Sequence, residues 1–458
     1  MFESLRDALL IRLSGLFDRE YYLKNYQDVR DSGINPLVHF IKYGWKEGRN
    51  PSSLFNLEYY LELHPDLANV NINPLIHFIQ TRMKNGSKLQ SISAYMIGYD
   101  YIDLSSDVVK KILVENEPTS SQKATDIIIF PIIDWNFRFQ RPQQIARQLE
   151  NLGHRIFYIN TGHDDHQGNT PLIKRLHHNI YEVKLVGGHQ KITLESSLSD
   201  LDVDQLEKSI GDFKKCLSLG SVIMMVDAPY WTRLVLRLKE QYGWNLVFDC
   251  MDLFTDFLSD SLADFTDEER LLKQSDLVLT TSQQLYDRAK SYNENTILVP
   301  NAADFEFFHQ AKEPLECVDM EHLSTPIIGY YGAVANWFDS ELVGQLASKH
   351  PEWTFFIVGH THLADLSPFE NLANVHILGE RPYKQLIGYL SHFDVCIIPF
   401  KKMPLTQAAN PVKLFEYLSA GKPVVVSRLD EITKYSDWVA LADTLQEWET
   451  AIQASLTE

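Results

Sequence analysis

From Asp126 onward, apolar runs of strand length alternate with amphipathic helical stretches. The runs DIIIFPI, RIFYIN, VIMMVDA, NLVFDC, LVLTTS and TILVPN carry the pattern as far as Asn301. After an acidic connector, EPLECVDMEHLSTP, it restarts with IIGYYG, TFFIVG, VHILG, VCIIPF and VVVS. Continuous apolar strands separated by helices belong to parallel sheets, because crossover helices bury both faces. Two such series with a break between them predict an α/β chain of two doubly wound, Rossmann-like domains, 124–320 and 321–458, facing across a cleft.

The first 90 residues follow a different pattern. The stretch FDREYYLKNYQDVRDSGINPLVHFIKYGWKEGRNPS returns as FNLEYYLELHPDLANVNINPLIHFIQTRMKNGSK, with Tyr21 matching Tyr59, Asp28 matching Asp66 and His39-Phe40 matching His77-Phe78, always 38 residues apart. A constant offset marks duplication of one supersecondary unit, so residues 1–90 are read as a small all-α module of two units, 17–54 and 55–90. Each unit is expected to hold a helix with the Tyr-Tyr-Leu face, then a second starting at Asn-Pro and closing near Gly48 or Gly86. His39 and His77 are read as hydrogen-bonded core residues rather than ligands. The leading segment, with Phe2, Leu5, Leu9, Leu13 and Leu16 on one face, suits an amphipathic helix that packs on the repeats; contact with a protein or a membrane surface through residues 1–90 is the alternative. Residues 91–123 read as a helix followed by a polar linker.

Composition narrows the class. At 45% hydrophobic and 22% charged the chain is globular rather than disordered. No stretch approaches the roughly 18 apolar residues that a membrane span needs. The formal charge of −19 disfavours nucleic acid as a partner, and four cysteines far apart, Cys216, Cys250, Cys317 and Cys396, indicate neither a disulfide framework nor a zinc site. The expected compartment is the cytoplasm, including the inner face of the cell membrane.

The most informative segment is NPVKLFEYLSAGKPVVVS, from Asn410. Asn410 suits an N-cap, Pro411 the first helical position and Gly421 a left-handed stop, so a short helix should lie between two buried strands with its N-terminus at the carboxyl edge of the sheet. Ligands bind there in open α/β sheets, and free amides with the helix dipole favour phosphate. Lys413 and Glu416 then share a face, a cation for a diphosphate and a carboxylate for ribose hydroxyls. A solvated Lys–Glu pair is the alternative.

The stretch from Ile327 to Val426 resembles the donor-binding domain of retaining GT-B glycosyltransferases, family 4 and its relatives. GYYGAVANWFD, FIVG, NVHILGERPYKQL, FDVCIIPF and the Lys413/Glu416 helix agree in order, and DWNFRFQRPQQIARQLENLGHRIFYIN and SDLVLTTS followed by ILVPNAADFEFF resemble the first domain and the interdomain segment. The resemblance implies a metal-independent glycosyltransferase moving a sugar from a nucleotide diphosphate sugar to a carbohydrate or lipid-linked acceptor. It implies that Lys413 binds the diphosphate and Glu416 the ribose, with Asn410, Pro411, Val412 and Gly332 around the donor and backbone at Glu380 and Arg381 on the base. Asp252 would face donor sugar and acceptor. Two features depart from the family: Ala408 replaces a glutamate eight residues before Glu416, and the first loop, DWNFRFQRP, has no glycine, so side chains must do its contacting. Arg138 would join Lys413 and Asp252 in catalysis, with Arg141 and Trp135 on an acceptor or diphosphate; alternatively one arginine pairs with an acid such as Asp134 and the aromatics pack the interface. Loss of the glutamate leaves open a non-catalytic sugar-nucleotide or glycan-binding protein, or an epimerase. His360-Thr361-His362 and the run His163-Asp164-Asp165-His166 are not read as a metal site.

Overall fold

The computed structural model describes residues 7–84 with interruptions at 9, 13, 15, 53–54, 56, 58–59, 62–66 and 68–71, then 102–104, 125–162, 170–187 except 178, 198–254, and 262–457 except 316, 321–322 and 362–363. Among them, nine strands form a first sheet: β1 (Ile102–Asp103), β2 (Asp126–Phe130), β3 (Arg155–Ile159), β4 (Leu172–Arg175), β5 (Ile180–Lys184), β6 (Val222–Val226), β7 (Asn245–Cys250), β8 (Leu277–Thr280) and β9 (Thr296–Leu298). Their order is β1-β4-β5-β3-β2-β6-β7-β8-β9. Apart from the antiparallel pairs β1–β4 and β4–β5, the sheet is parallel. Burial follows the period of two: Ile128 and Phe130 of β2 join one apolar cluster, Ile127 and Ile129 the cluster on the opposite face.

The second sheet is wholly parallel, with β10 (Ile327–Tyr331), β11 (Thr354–Val358), β12 (Val375–Leu378), β13 (Val395–Ile398), β14 (Val424–Ser427) and β15 (Ala440–Ala442) in the order β12-β11-β10-β13-β14-β15. This order reverses between β10 and β13, and that of the first sheet between β2 and β6, so each domain opens a crevice beyond the carboxyl ends of those strands. The two expected doubly wound domains are present. The second core begins earlier than residue 321, since Phe308 and Ala311 belong to it. Part of the expected 91–123 linker is instead the edge strand β1; residues 105–124 lie outside the described part.

In the first repeat the helices Arg19–Asn25, Gln27–Ser32 and Pro36–His39 are three rather than two, and the last runs on through a π-turn to Gly44. Asn35 caps as expected, its side chain accepting from the Leu37 and Val38 amides. In the second repeat the helix Pro74–Lys84 is described, with Asn73 accepting from Leu75, whereas Tyr59, Asp66 and Gly86 lie outside the described residues. His39 is buried and His77 half-buried, and they share hydrogen bonds of 3.1 Å with Tyr22 and 2.9 Å with Tyr60. Ile11 and Leu16 of the leading segment are buried in the repeat core; Phe2, Leu5, Leu9 and Leu13 are outside the described residues.

A continuous polar seam joins the two large domains. Arg141, opening the helix Arg141–Asn151, forks onto Asp249 at the end of β7 with contacts of 2.8 and 2.9 Å. Its remaining arm reaches Asn301 Oδ1 at 3.2 Å. Asn301 in turn donates from its backbone and side chain to Asn410 at 3.0 and 2.6 Å. Asn410 donates to Glu431 at 3.0 Å, and Glu431 accepts from the Gln283 amide of the first domain at 3.0 Å.

The Asp249 side chain is 0% exposed. Arg141→Ala should therefore leave an unpaired buried charge and cost about 3–5 kcal/mol, while Arg141→Met combined with Asp249→Leu should recover most of the loss. Denaturant unfolding of the three proteins checks this; a single-variant loss under about 1 kcal/mol would refute the seam's importance.

Candidate functional site

The second crevice is built around a helix of eight residues, Val412–Ser419. Leu414 and Tyr417 fix it to the core, and it stops where Gly421 turns left-handed at φ 68°. Its start differs from expectation by one residue: Pro411, with φ −70° and ψ 118°, is the N-cap, and no side chain caps the helix. Asn410 is not the cap because its amide is committed to Asn301 and Glu431 in the seam. The first turn is thus left open toward the crevice.

Lys413 enters that opening. Its ammonium lies 5.3 Å from the Tyr330 ring centre and 4.8 Å from that of Phe400, and has no ion-pair partner among the described residues. Burial holds it down to about 8, only partly offset by Glu416. The close approach depends on Gly332, at φ 135°, where a Cβ would come within 2.7 Å of the Lys413 stem. Gly359 plays the same part beneath it, since its Cβ would fall 1.9 Å from the Gly332 carbonyl oxygen.

Glu416 is buried beside Lys413 and accepts a hydrogen bond of 2.8 Å from Tyr331. Burial pushes its carboxyl up to about 7, while the Tyr331 hydrogen bond and Lys413 oppose the rise. Nearby, Glu380 receives Arg138 from the other domain, with contacts of 2.5 and 3.3 Å, and that hydrogen bond holds its carboxyl below the usual range. Arg381 turns instead to Tyr389 at 3.1 Å and toward Asp319. Of the two arginines in the first loop, neither pairs with Asp134, which accepts from the Thr161 amide and hydroxyl. Arg138 spans the cleft to Glu380, and Arg141 is consumed by the seam, so its fork faces no acceptor here. Trp135 packs inward against Tyr158, ring centres 5.2 Å apart.

Across the cleft, Asp252 follows β7. Burial and then Asp249 push its carboxyl up to about 7 against the pull of Arg141. Asp227, just after β6, is fully buried with neither carboxylate oxygen hydrogen-bonded among the described residues, and burial pushes its carboxyl well above the usual carboxylate range. Sequence reading missed Asp227, although a charge closing the apolar run VIMMV at a switch-point strand was the signal to follow. It also missed Gln143. Its amide donates to the carbonyls of Trp135 and Arg138 at 3.2 and 2.7 Å, holding a loop that has no glycine. Tyr383 was missed too; it meets Phe139 at 5.1 Å between ring centres and accepts from Gln144 at 3.1 Å, closing the cleft beside the Glu416 helix. Ala408 is buried in the apolar cluster of the first domain.

Among the described residues no group of three or more His, Cys, Asp or Glu is placed to hold a metal ion, and no helix is long and apolar enough to cross a membrane. His360 lies near Glu380, whereas His362 and the 163–166 run are outside the described residues.

Residues 325–458 match the family model of glycosyl transferases group 1. A Bacillus subtilis protein named as a teichuronic acid biosynthesis glycosyltransferase, TuaH, is 28% identical over 214 residues, 43% of this chain and 54% of that one. The chain thus spans about half the length of this curated relative. Among solved structures, sucrose-phosphate synthase from Thermosynechococcus elongatus superposes with a TM-score of 0.57 at 15% identity, covering 73% of this chain and 90% of that one. An E. coli trehalose-6-phosphate protein bound with UDP-2-fluoro glucose gives 0.56 at 11%, with coverage of 73% and 91%. The chain therefore has the two-domain GT-B fold, and its second domain carries the match to group 1 glycosyl transferases.

Proposed function

We propose that this protein transfers a sugar from a nucleotide diphosphate sugar to a carbohydrate or lipid-linked acceptor, in the synthesis of a bacterial surface polysaccharide or glycan, with retained anomeric configuration. The observation that carries the reading is Lys413: a half-buried cation without an ion-pair partner among the described residues, at the open N-terminus of a helix. Such a cation calls for an anion, and a diphosphate fits between the ammonium and the helix amides. The group 1 match of residues 325–458 and the likeness to TuaH support the same class.

In this reading Glu416 accepts the ribose hydroxyls, and Lys413 with the helix N-terminus offsets the charge that gathers on the leaving diphosphate as the bond from anomeric carbon to phosphate oxygen breaks. The acceptor oxygen forms its bond on the face that the diphosphate leaves. Its proton passes to the departing phosphate oxygen, so this course needs no carboxylate at position 408. Asp252 and Asp227 stand on the acceptor side. Burial of Ala408 in the first domain's apolar cluster favours a second reading, a binding protein without turnover. Release of nucleoside diphosphate only when acceptor is supplied decides for transfer.

Lys413→Ala should lower turnover by about 100-fold, roughly 3 kcal/mol, the usual loss for one donor aimed at developing charge. Melting behaviour should stay unchanged. A folded variant with wild-type rates would remove Lys413 from the chemistry. NMR of the product should give the anomeric configuration of the donor; an inverted product would contradict the same-face course.

A further inference from the structure

Tyr331 closes β10, and its phenol is built into the site rather than merely adjoining it. Its hydroxyl donates 2.8 Å to Glu416 Oε2. Its ring packs edge-on against Tyr417 with centres 4.8 Å apart, and its amide donates 3.0 Å to the Tyr417 hydroxyl. Backbone and ring are thus both tied to the Val412–Ser419 helix, leaving the phenol one place to point. A carboxylate that accepts two ribose hydroxyls needs its oxygens aimed and its acceptor capacity intact, because a protonated carboxyl loses an acceptor site and presents a hydrogen to the incoming hydroxyl.

We propose that Tyr331 is the positioning residue for nucleotide binding, holding the Glu416 carboxylate aimed at the ribose and preserving its acceptor form. This deepens the ribose role given to Glu416 and rests on it. Lys413 and Tyr417 on the same helix, Tyr331 from β10 and Tyr383 from the helix Tyr383–His392 face or act on the carboxyl. Burial pushes Glu416 up to about 7, and the Tyr331 hydrogen bond comes first among the effects holding it down. A donor to the ionised form that is lost raises the carboxyl further. Nucleotide affinity therefore falls as pH drops through the Glu416 midpoint, and removing the Tyr331 hydroxyl shifts that fall to higher pH.

The test is calorimetric titration of UDP and GDP into the full chain at pH 6, 7, 8 and 9, for wild type, Tyr331→Phe and Glu416→Gln. If the midpoint moves by about one unit, Tyr331→Phe should bind about five-fold more weakly than wild type at pH 7 and within about two-fold at pH 9. Loss of the Lys413 charge, down at about 8, affects both proteins alike and cancels in the ratio. A loss from Tyr331→Phe that is the same at every pH would overturn the proposal, since packing alone produces that result. If Glu416→Gln binds as wild type does, the ribose reading itself fails, and the proposal with it. Should Tyr331→Phe be recovered unfolded, 3-fluorotyrosine at position 331 provides a stronger donor of the same shape. It should move the acidic limb to lower pH, and an unmoved limb would count against the proposal.

Discussion

Arg141 and Asp249 bury an ion pair at the carboxyl edge of the first sheet, and the guanidinium also holds Asn301, the residue that grips Asn410. Buried pairs of this kind gain little net stability over an apolar pair, but breaking one is costly, so they act chiefly as geometric constraints. Here the constraint extends from the first domain to the residue before Pro411. It fixes where the Val412–Ser419 helix begins relative to the other side of the cleft. Because Asn410 is committed to this seam, the helix has no side-chain cap, and its first turn faces the crevice. The joint between the domains and the uncapped start of this helix have one cause.

The electrostatics of the site follow from that enclosure. A chain with a net charge of −19 nevertheless gathers a cation, an uncapped helix start and two glycines at one point of the second crevice. Burial lowers Lys413 to about 8 and raises Glu416 to about 7, so both groups sit near the pH at which a cell works. The first crevice shows the opposite imbalance. Asp227, Asp249 and Asp252 share one guanidinium, Asp249 takes both arms of its fork, and Asp252 and Asp227 are pushed toward the neutral acid. The two crevices thus differ in character, one holding a cation and the other carboxyls pushed toward the neutral form.

Much of this was legible in the sequence. Each apolar run from DIIIF to VVVS is a strand, because buried parallel strands must be apolar on both faces, and that signal is local. The antiparallel hairpin β4–β5 and the two-residue edge strand β1 escaped notice, since LIKR and IYEVK mix polar with apolar positions and a strand of two residues carries no period. The helix that carries Lys413 and Glu416 was legible because a Pro-led, Gly-stopped helix is written in consecutive residues. Asn410 was misjudged as a cap because cap preference is local, while Asn301, Glu431 and the competition they impose are tertiary. Arg138 was read for catalysis and Arg141 for an acceptor or diphosphate, but their partners are tertiary: the fold sends Arg141 into the seam and Arg138 across to Glu380.

The proposed transfer depends on the nucleotide diphosphate lying at the open end of the Val412–Ser419 helix. A crystal structure of the full chain with UDP or GDP bound tests it most directly. The expected result is a diphosphate on the amides of the first helical turn with the Lys413 ammonium in hydrogen-bond contact, and ribose hydroxyls on Glu416. A nucleotide bound elsewhere, with Lys413 still over Tyr330 and Phe400 and the helix start empty, would contradict it.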